Sequence, residues 1–102
     1  MKNSLTSEIT LIAKISAKPG LEKIVWAELQ ALIDPTRAEP GCLQYDLHQS
    51  LNDQSSFLFV ERWRSQADID KHFDMPYLKA LQAKESEILA QPVEITLWKS
   101  IS

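Results

Sequence analysis

The sequence predicts an α+β domain of ferredoxin-like order βαββαβ, a four-stranded antiparallel sheet with two helices on one face. Three observations predict it. Apolar residues recur at every second position in four short stretches, the period of a strand, and at three- and four-residue spacing in two longer ones, the period of a helix. Proline and glycine punctuate the joins. The third strand is apolar on both of its sides, so the face the helices leave bare needs a cover.

The first strand runs from Glu8 to Ala17, with Ile9, Leu11, Ala13 and Ile15 alternating and Ile12 on the other side. Lys18-Pro19-Gly20 breaks it. Leu21, Ile24, Val25, Leu29, Leu32 and Ile33 then mark an amphipathic helix bordered by Trp26. Asp34-Pro35 is expected to end that helix, because a residue before proline disfavours helical geometry. Pro35 can open a further short turn through Thr36 to Glu39, and Pro40-Gly41 stops it. Leu43, Tyr45 and Leu47 alternate with Gln44, Asp46 and His48 as a second, half-buried strand. The turn cluster Ser50 to Ser55 returns the chain antiparallel into Phe57–Trp63. Ser65, with Asp68 three residues on, caps a helix through Ile69, His72 and Phe73. That helix is interrupted at Met75-Pro76, resumes at Tyr77, and ends at Gln91-Pro92. Val93, Ile95, Leu97 and Trp98 form the last strand, with Ile101 near its end.

Composition narrows the function classes. At 102 residues the chain is one small domain, 8–102, preceded by a loose polar arm, 1–7. The formal charge is −3 with basic residues scattered singly, which argues against nucleic acid. No run approaches the roughly 20 apolar residues of a membrane helix. The N-terminus lacks the apolar core of a signal peptide, so a cytoplasmic location is expected. Cys42 is the only cysteine, which leaves no intrachain disulfide and no thiolate metal cluster; it reads as a small apolar filler.

The uncovered sheet face carries the partner expectation. Phe57 and Phe59 point one way, Leu58 and Val60 the other; Val93, Ile95 and Leu97 oppose Trp98. At about 25 cal/mol per Å², several hundred Å² left bare costs several kcal/mol, so a homodimer with stacked sheets and a barrel-like core is expected.

The side chains able to do chemistry gather in Phe57–Leu78. The two histidines, His48 and His72, share no metal-ligand spacing. His48 reads as a solvated strand residue. His72 lies at the apolar stripe of its helix and reads either as a hydrogen-bonded border residue or as an acid/base group in a pocket. Tyr45, Trp63 and Tyr77 have apolar bodies and polar tips, suited to a core edge or an aromatic pocket. Glu61 shares a side with Phe57, Phe59 and Trp63, where a carboxylate needs partners. The residues by themselves reach a dimeric α+β domain with an aromatic pocket.

Several pieces taken together resemble a known family: Ala17-Lys18-Pro19-Gly20; Pro35-Thr36-Arg37-Ala38-Glu39-Pro40-Gly41-Cys42-Leu43-Gln44-Tyr45; Glu61-Arg62-Trp63; Ile69-Asp70-Lys71-His72-Phe73; and Met75-Pro76-Tyr77-Leu78. In order and spacing the chain, from about Ile9 to Trp98, is similar to the antibiotic biosynthesis monooxygenase domain family of dimeric α+β barrels. The resemblance implies a homodimer with one cavity per subunit. It also implies oxidation of a small quinol or phenol by O2 without flavin, haem or metal. Trp63 and Tyr45 are then expected to line the pocket and His72 to orient or deprotonate substrate, with Phe59, Glu61, Phe73 and Tyr77 around the ring. A ligand-binding or stress-related module on the same fold is the alternative. Haem handling is a third, disfavoured because haem-degrading relatives use an asparagine on the first strand, where Ile9–Ile15 holds none.

Overall fold

The computed structural model describes residues 8–102; the arm expected over 1–7 lies outside the described residues. Four strands, β1 (Ile9–Ser16), β2 (Cys42–Gln49), β3 (Ser56–Trp63) and β4 (Glu94–Trp98), form one antiparallel sheet in the order β2-β3-β1-β4. That is the ferredoxin-like order. The helical segments are α1 (Glu22–Gln30), α2 (Ile33–Arg37), α3 (Gln66–Phe73) and α4 (Pro76–Ile88).

Register divides the sheet into two faces. Ile9, Leu11, Ala13 and Ile15 of β1 stand opposite Trp63, Glu61, Phe59 and Phe57 of β3, and this face is buried under the helices. Tyr45 and Leu47 of β2 extend it. The opposite face carries Ile12, Leu58 and Val60 at its centre.

Each crossover is two helices rather than one, for a different reason in each case. The first is divided at Ala31–Leu32, not at Asp34-Pro35 as the sequence suggests. Pro35 falls inside α2, in the first turn, where an N–H has no helical partner to lose. The second is divided where the sequence places it. Met75 is extended and Pro76 occupies the first turn of α4, its φ already suited to a helix. Ser65 caps α3 by accepting from the Asp68 N–H.

One strand position departs from simple alternation. The pairing of β2 with β3 shifts between Cys42 and Gln44, a bulge that leaves Leu43 outward and 46% exposed rather than on the side of Tyr45. At the sheet's far edge β4 is exposed along its whole length. Val93 and Ile101 fall outside it. No helix among the described residues is long and apolar enough to cross a membrane.

Candidate active site

Under the helices, against the buried sheet face, lies a cavity of about 260 Å³. Tyr45, Phe59 and Glu61 of the sheet, and His72 and Phe73 of α3, face it; Leu78, Leu81, Gln82 and Glu85 of α4 and Ile95 of β4 are also in its wall. Five of the seven residues expected at a pocket therefore line this one. Tyr45 stacks on Phe59 with ring centroids 4.4 Å apart, and His72 meets Tyr45 and Phe73 edge-on at 5.6 and 5.1 Å.

Trp63 and Tyr77 stand behind the wall instead of in it. Trp63 is fully buried; its ring lies 4.6 Å from that of His72, and its Nε1–H donates to Glu61 Oε1 at 2.8 Å. Glu61 points the same way as Trp63 because both belong to one side of β3, two residues apart. Tyr77, on the first turn of α4, donates its hydroxyl to Glu39 Oε2, with the Pro35 carbonyl 3.4 Å away.

Glu39 is the residue the sequence does not single out. It follows α2 in a Pro-containing turn with no periodicity to mark it, and the contact that defines it is 33 residues distant. His72 Nδ1 donates to Glu39 Oε2 at 2.9 Å, and both side chains are buried. The signal was there in kind: Glu39 belongs to the longest of the pieces on which the family resemblance rests. Thr36 is fully buried beside the phenols of Tyr45 and Tyr77, and its Oγ1 is aligned with neither as a hydrogen bond.

The electrostatics follow from this packing. Burial lowers the His72 pKa below its ordinary 6.5, against the opposing pull of Glu39. The imidazole is therefore neutral near pH 7. With its proton held on Nδ1 by Glu39, Nε2 is left as an acceptor. Glu61 is displaced the other way. Burial, opposed by the Trp63 N–H and reinforced by Glu39, lifts its pKa from 4.5 to about 7. One oxygen of Glu61 accepts from Trp63, and among the described residues none donates to the other. Tyr45 and Tyr77 are both raised, first by burial, so they serve as neutral phenols. Cys42 is pushed up to about 11 by burial and by Glu39 and Glu61, which leaves a thiol with little thiolate character. Among the described residues no group of three or more His, Cys, Asp or Glu side chains is arranged to hold a metal ion.

Two proton acceptors, Glu61 and His72 Nε2, thus share one apolar, aromatic-walled space. A carboxyl poised near neutrality in such a place suits proton transfer.

Residues 8–84 match the family model described as antibiotic biosynthesis monooxygenase. The Mycobacterium tuberculosis protein named "Putative monooxygenase Rv0793" is 38% identical over 93 residues, covering 91% of each chain. Synechocystis protein sll1783 is 37% identical over 91 residues, and the aligned part spans 62% of that longer protein. The crystal structure of PA3566 from Pseudomonas aeruginosa superposes with a TM-score of 0.90 at 37% identity, covering 96% of this chain and 98% of that one.

Proposed function

The chain belongs to the antibiotic biosynthesis monooxygenase family, and from that footing we propose that it oxidises a small quinol or related phenol with O2, without flavin, haem or metal. One observation carries the reading: two proton acceptors of different kinds, Glu61 and His72, open on a single aromatic cavity. A two-hydroxyl ring brings the two donors these acceptors lack. The volume agrees, since roughly 150 Å³ of apolar space already holds a benzene ring and this cavity offers about 260 Å³.

The chemistry runs through the substrate's own electrons. Glu61 or His72 takes a phenolic proton, and the electron-rich quinolate passes one electron to O2. The resulting radical pair combines at a ring carbon, forming the C–O bond. One oxygen atom stays on the ring in place of hydrogen and the other leaves as water. The quinol supplies all four electrons and ends as a hydroxyquinone, so no further reductant enters. Tyr45, Phe59 and Phe73 hold the ring, Trp63 steadies the Glu61 carboxylate, and Tyr77 with Glu39 fixes the imidazole. The active unit in this proposal is a homodimer joined through the bare sheet faces.

Oxygen uptake measured over a panel of quinols, with metals removed by chelation, tests the proposal. His72→Ala is expected to lose at least tenfold in kcat/KM, the lower range for an acid/base group. An equal rate in wild type and variant overturns the role of His72. A quinol that binds but is never consumed would instead mark a binding protein.

A further inference from the structure

Among the described residues the cavity wall contains no lysine and no arginine. Its charged members are Glu61, at 2% exposure, and Glu85, partly exposed on α4. Glu39, 7% exposed, stands directly behind His72 and adds a further carboxylate to the field. Among the described residues neither Glu61 nor Glu85 has an ion-pair partner, and burial pushes both carboxyls up. The lysines of α4 are engaged elsewhere, Lys84 with Glu28 and Lys79 with Asp74. In addition, Glu61 lines the cavity, and among the described residues only its Oε1 receives a hydrogen bond, from Trp63. An ionised carboxylate in low-dielectric surroundings repels a second negative charge strongly, because solvent screening is weak there. A ligand that brings donors relieves the deficit; one that brings a carboxylate or phosphate deepens it.

We infer that this cavity discriminates by charge, accepting single-ring compounds that are uncharged or carry an amine and rejecting those with an acidic substituent, with Glu85 reading the substituent at the opening. The inference deepens the quinol reading and rests on it for the orientation, with hydroxyls inward toward Glu61 and His72 and the substituent outward toward Gln82 and Glu85. It also removes phosphorylated and carboxylated rings from the substrate class.

The test is binding without turnover, by calorimetry under anaerobic conditions at pH 8. The probes are three hydroquinones differing only in one substituent: 2,5-dihydroxyphenylethanol, 2,5-dihydroxyphenethylamine and 2,5-dihydroxyphenylacetate. The acetate is expected to bind at least tenfold more weakly than the ethanol, and the amine at least as tightly. Glu85→Lys, a change on a partly exposed helix position, is expected to reverse the order of amine and acetate. Acetate binding as tight as the ethanol, or an order unchanged in Glu85→Lys, overturns the inference.

The same three substituents on a plain benzene ring separate this failure from that of the quinol reading. If 2-phenylethanol, phenethylamine and phenylacetate keep the charge order while the hydroquinones gain nothing over them, the charge rule stands and the quinol assignment falls. No binding by any of the six at millimolar concentration overturns both.

Discussion

Glu61 is the residue at which function and stability pull in opposite directions. Its pKa in the folded chain stands at about 7, above the ordinary 4.5, chiefly because it is buried. A carboxyl whose folded pKa is raised holds its proton longer in the native state. Folding then takes up protons between those two values, so stability falls as pH rises through the window and levels off above it. The full displacement corresponds to about 3 kcal/mol. Glu61→Gln keeps the shape and an acceptor for Trp63 Nε1 while removing the charge. It should raise the thermal midpoint at pH 8 by at least about 4 °C, taking 4–8 °C per kcal/mol for a domain of this size, and leave it nearly unchanged near pH 4. Equal midpoints at both pH values would show that Glu61 is not held in an uncharged environment. Activity should move the other way and be lost in the same variant. If Glu61 is the base, kcat/KM in the wild type climbs with pH and bends near 7. Trp63→Phe deletes the indole N–H that lowers the Glu61 pKa, so the bend should shift to higher pH. A profile that keeps its bend in Trp63→Phe separates Trp63 from Glu61.

At the scale of elements, the site depends on how the turn after α2 is clamped to the start of α3. Gly41 is the close point. A Cβ there would run into the Cβ and Cγ of Asp68, whose carboxylate accepts both Arg64 guanidinium N–H groups at 2.9 and 3.0 Å and the Ser65 hydroxyl at 2.8 Å. The Gly41 carbonyl also accepts from the Arg64 N–H at 2.9 Å. This corner keeps Glu39, two residues before Gly41, in reach of His72, four residues after Asp68. Gly41→Ala should cost about 1–3 kcal/mol, the usual range for overpacking, and much less in an Asp68→Gly background, where the opposing Cβ is gone as well. Urea unfolding of the four proteins of that cycle measures it, and strict additivity would mean that the two residues do not press on each other. The corner also shows what sequence alone conveys. Strand periods, the Ser65 cap and the break at Met75-Pro76 were legible because each is a local rule satisfied by neighbours in the chain. The family resemblance is what makes Tyr45, Phe59, Glu61, His72 and Phe73 pocket candidates as a set, and all five line the cavity. The partners of His72 and Glu61 were not legible. Glu39 reaches His72 only through the tertiary path of α2, and the hold of Trp63 on Glu61 needs χ angles that no periodicity specifies. The break at Ala31–Leu32 escaped for a related reason: the apolar stripe continues through Leu32 and Ile33, and no proline or glycine marks the division.

At the scale of the molecule, the bare sheet face governs assembly. Ile12, Leu58 and Val60 form its centre on the two inner strands, and register places Ile12 opposite Val60. Gln44, Asp46 and His48 of β2, Lys14 of β1 and Glu94 of β4 surround them. An apolar centre with a polar rim is the anatomy of an association surface. On the edge strand β4, Ile95, Leu97 and Trp98 are 44%, 50% and 59% exposed, so both sides of that strand lack cover. Each 100 Å² of such surface removed from water contributes about 2.5 kcal/mol before the cost of association, and a stable pair buries about 800 Å² per partner. A second copy of this chain is expected to supply the cover, which gives a particle of twice 11.6 kDa in light scattering. Val60→Asp puts a charge at the centre of the face without touching the cavity, whose wall is formed from the opposite side of β3. It should shift the particle to monomer. Because association stabilises only the folded chain, the wild-type thermal midpoint should rise with protein concentration, whereas that of Val60→Asp should not. A wild-type protein that stays monomeric at micromolar concentration, with a midpoint independent of dilution, would leave the face bare and remove the dimer from the proposal.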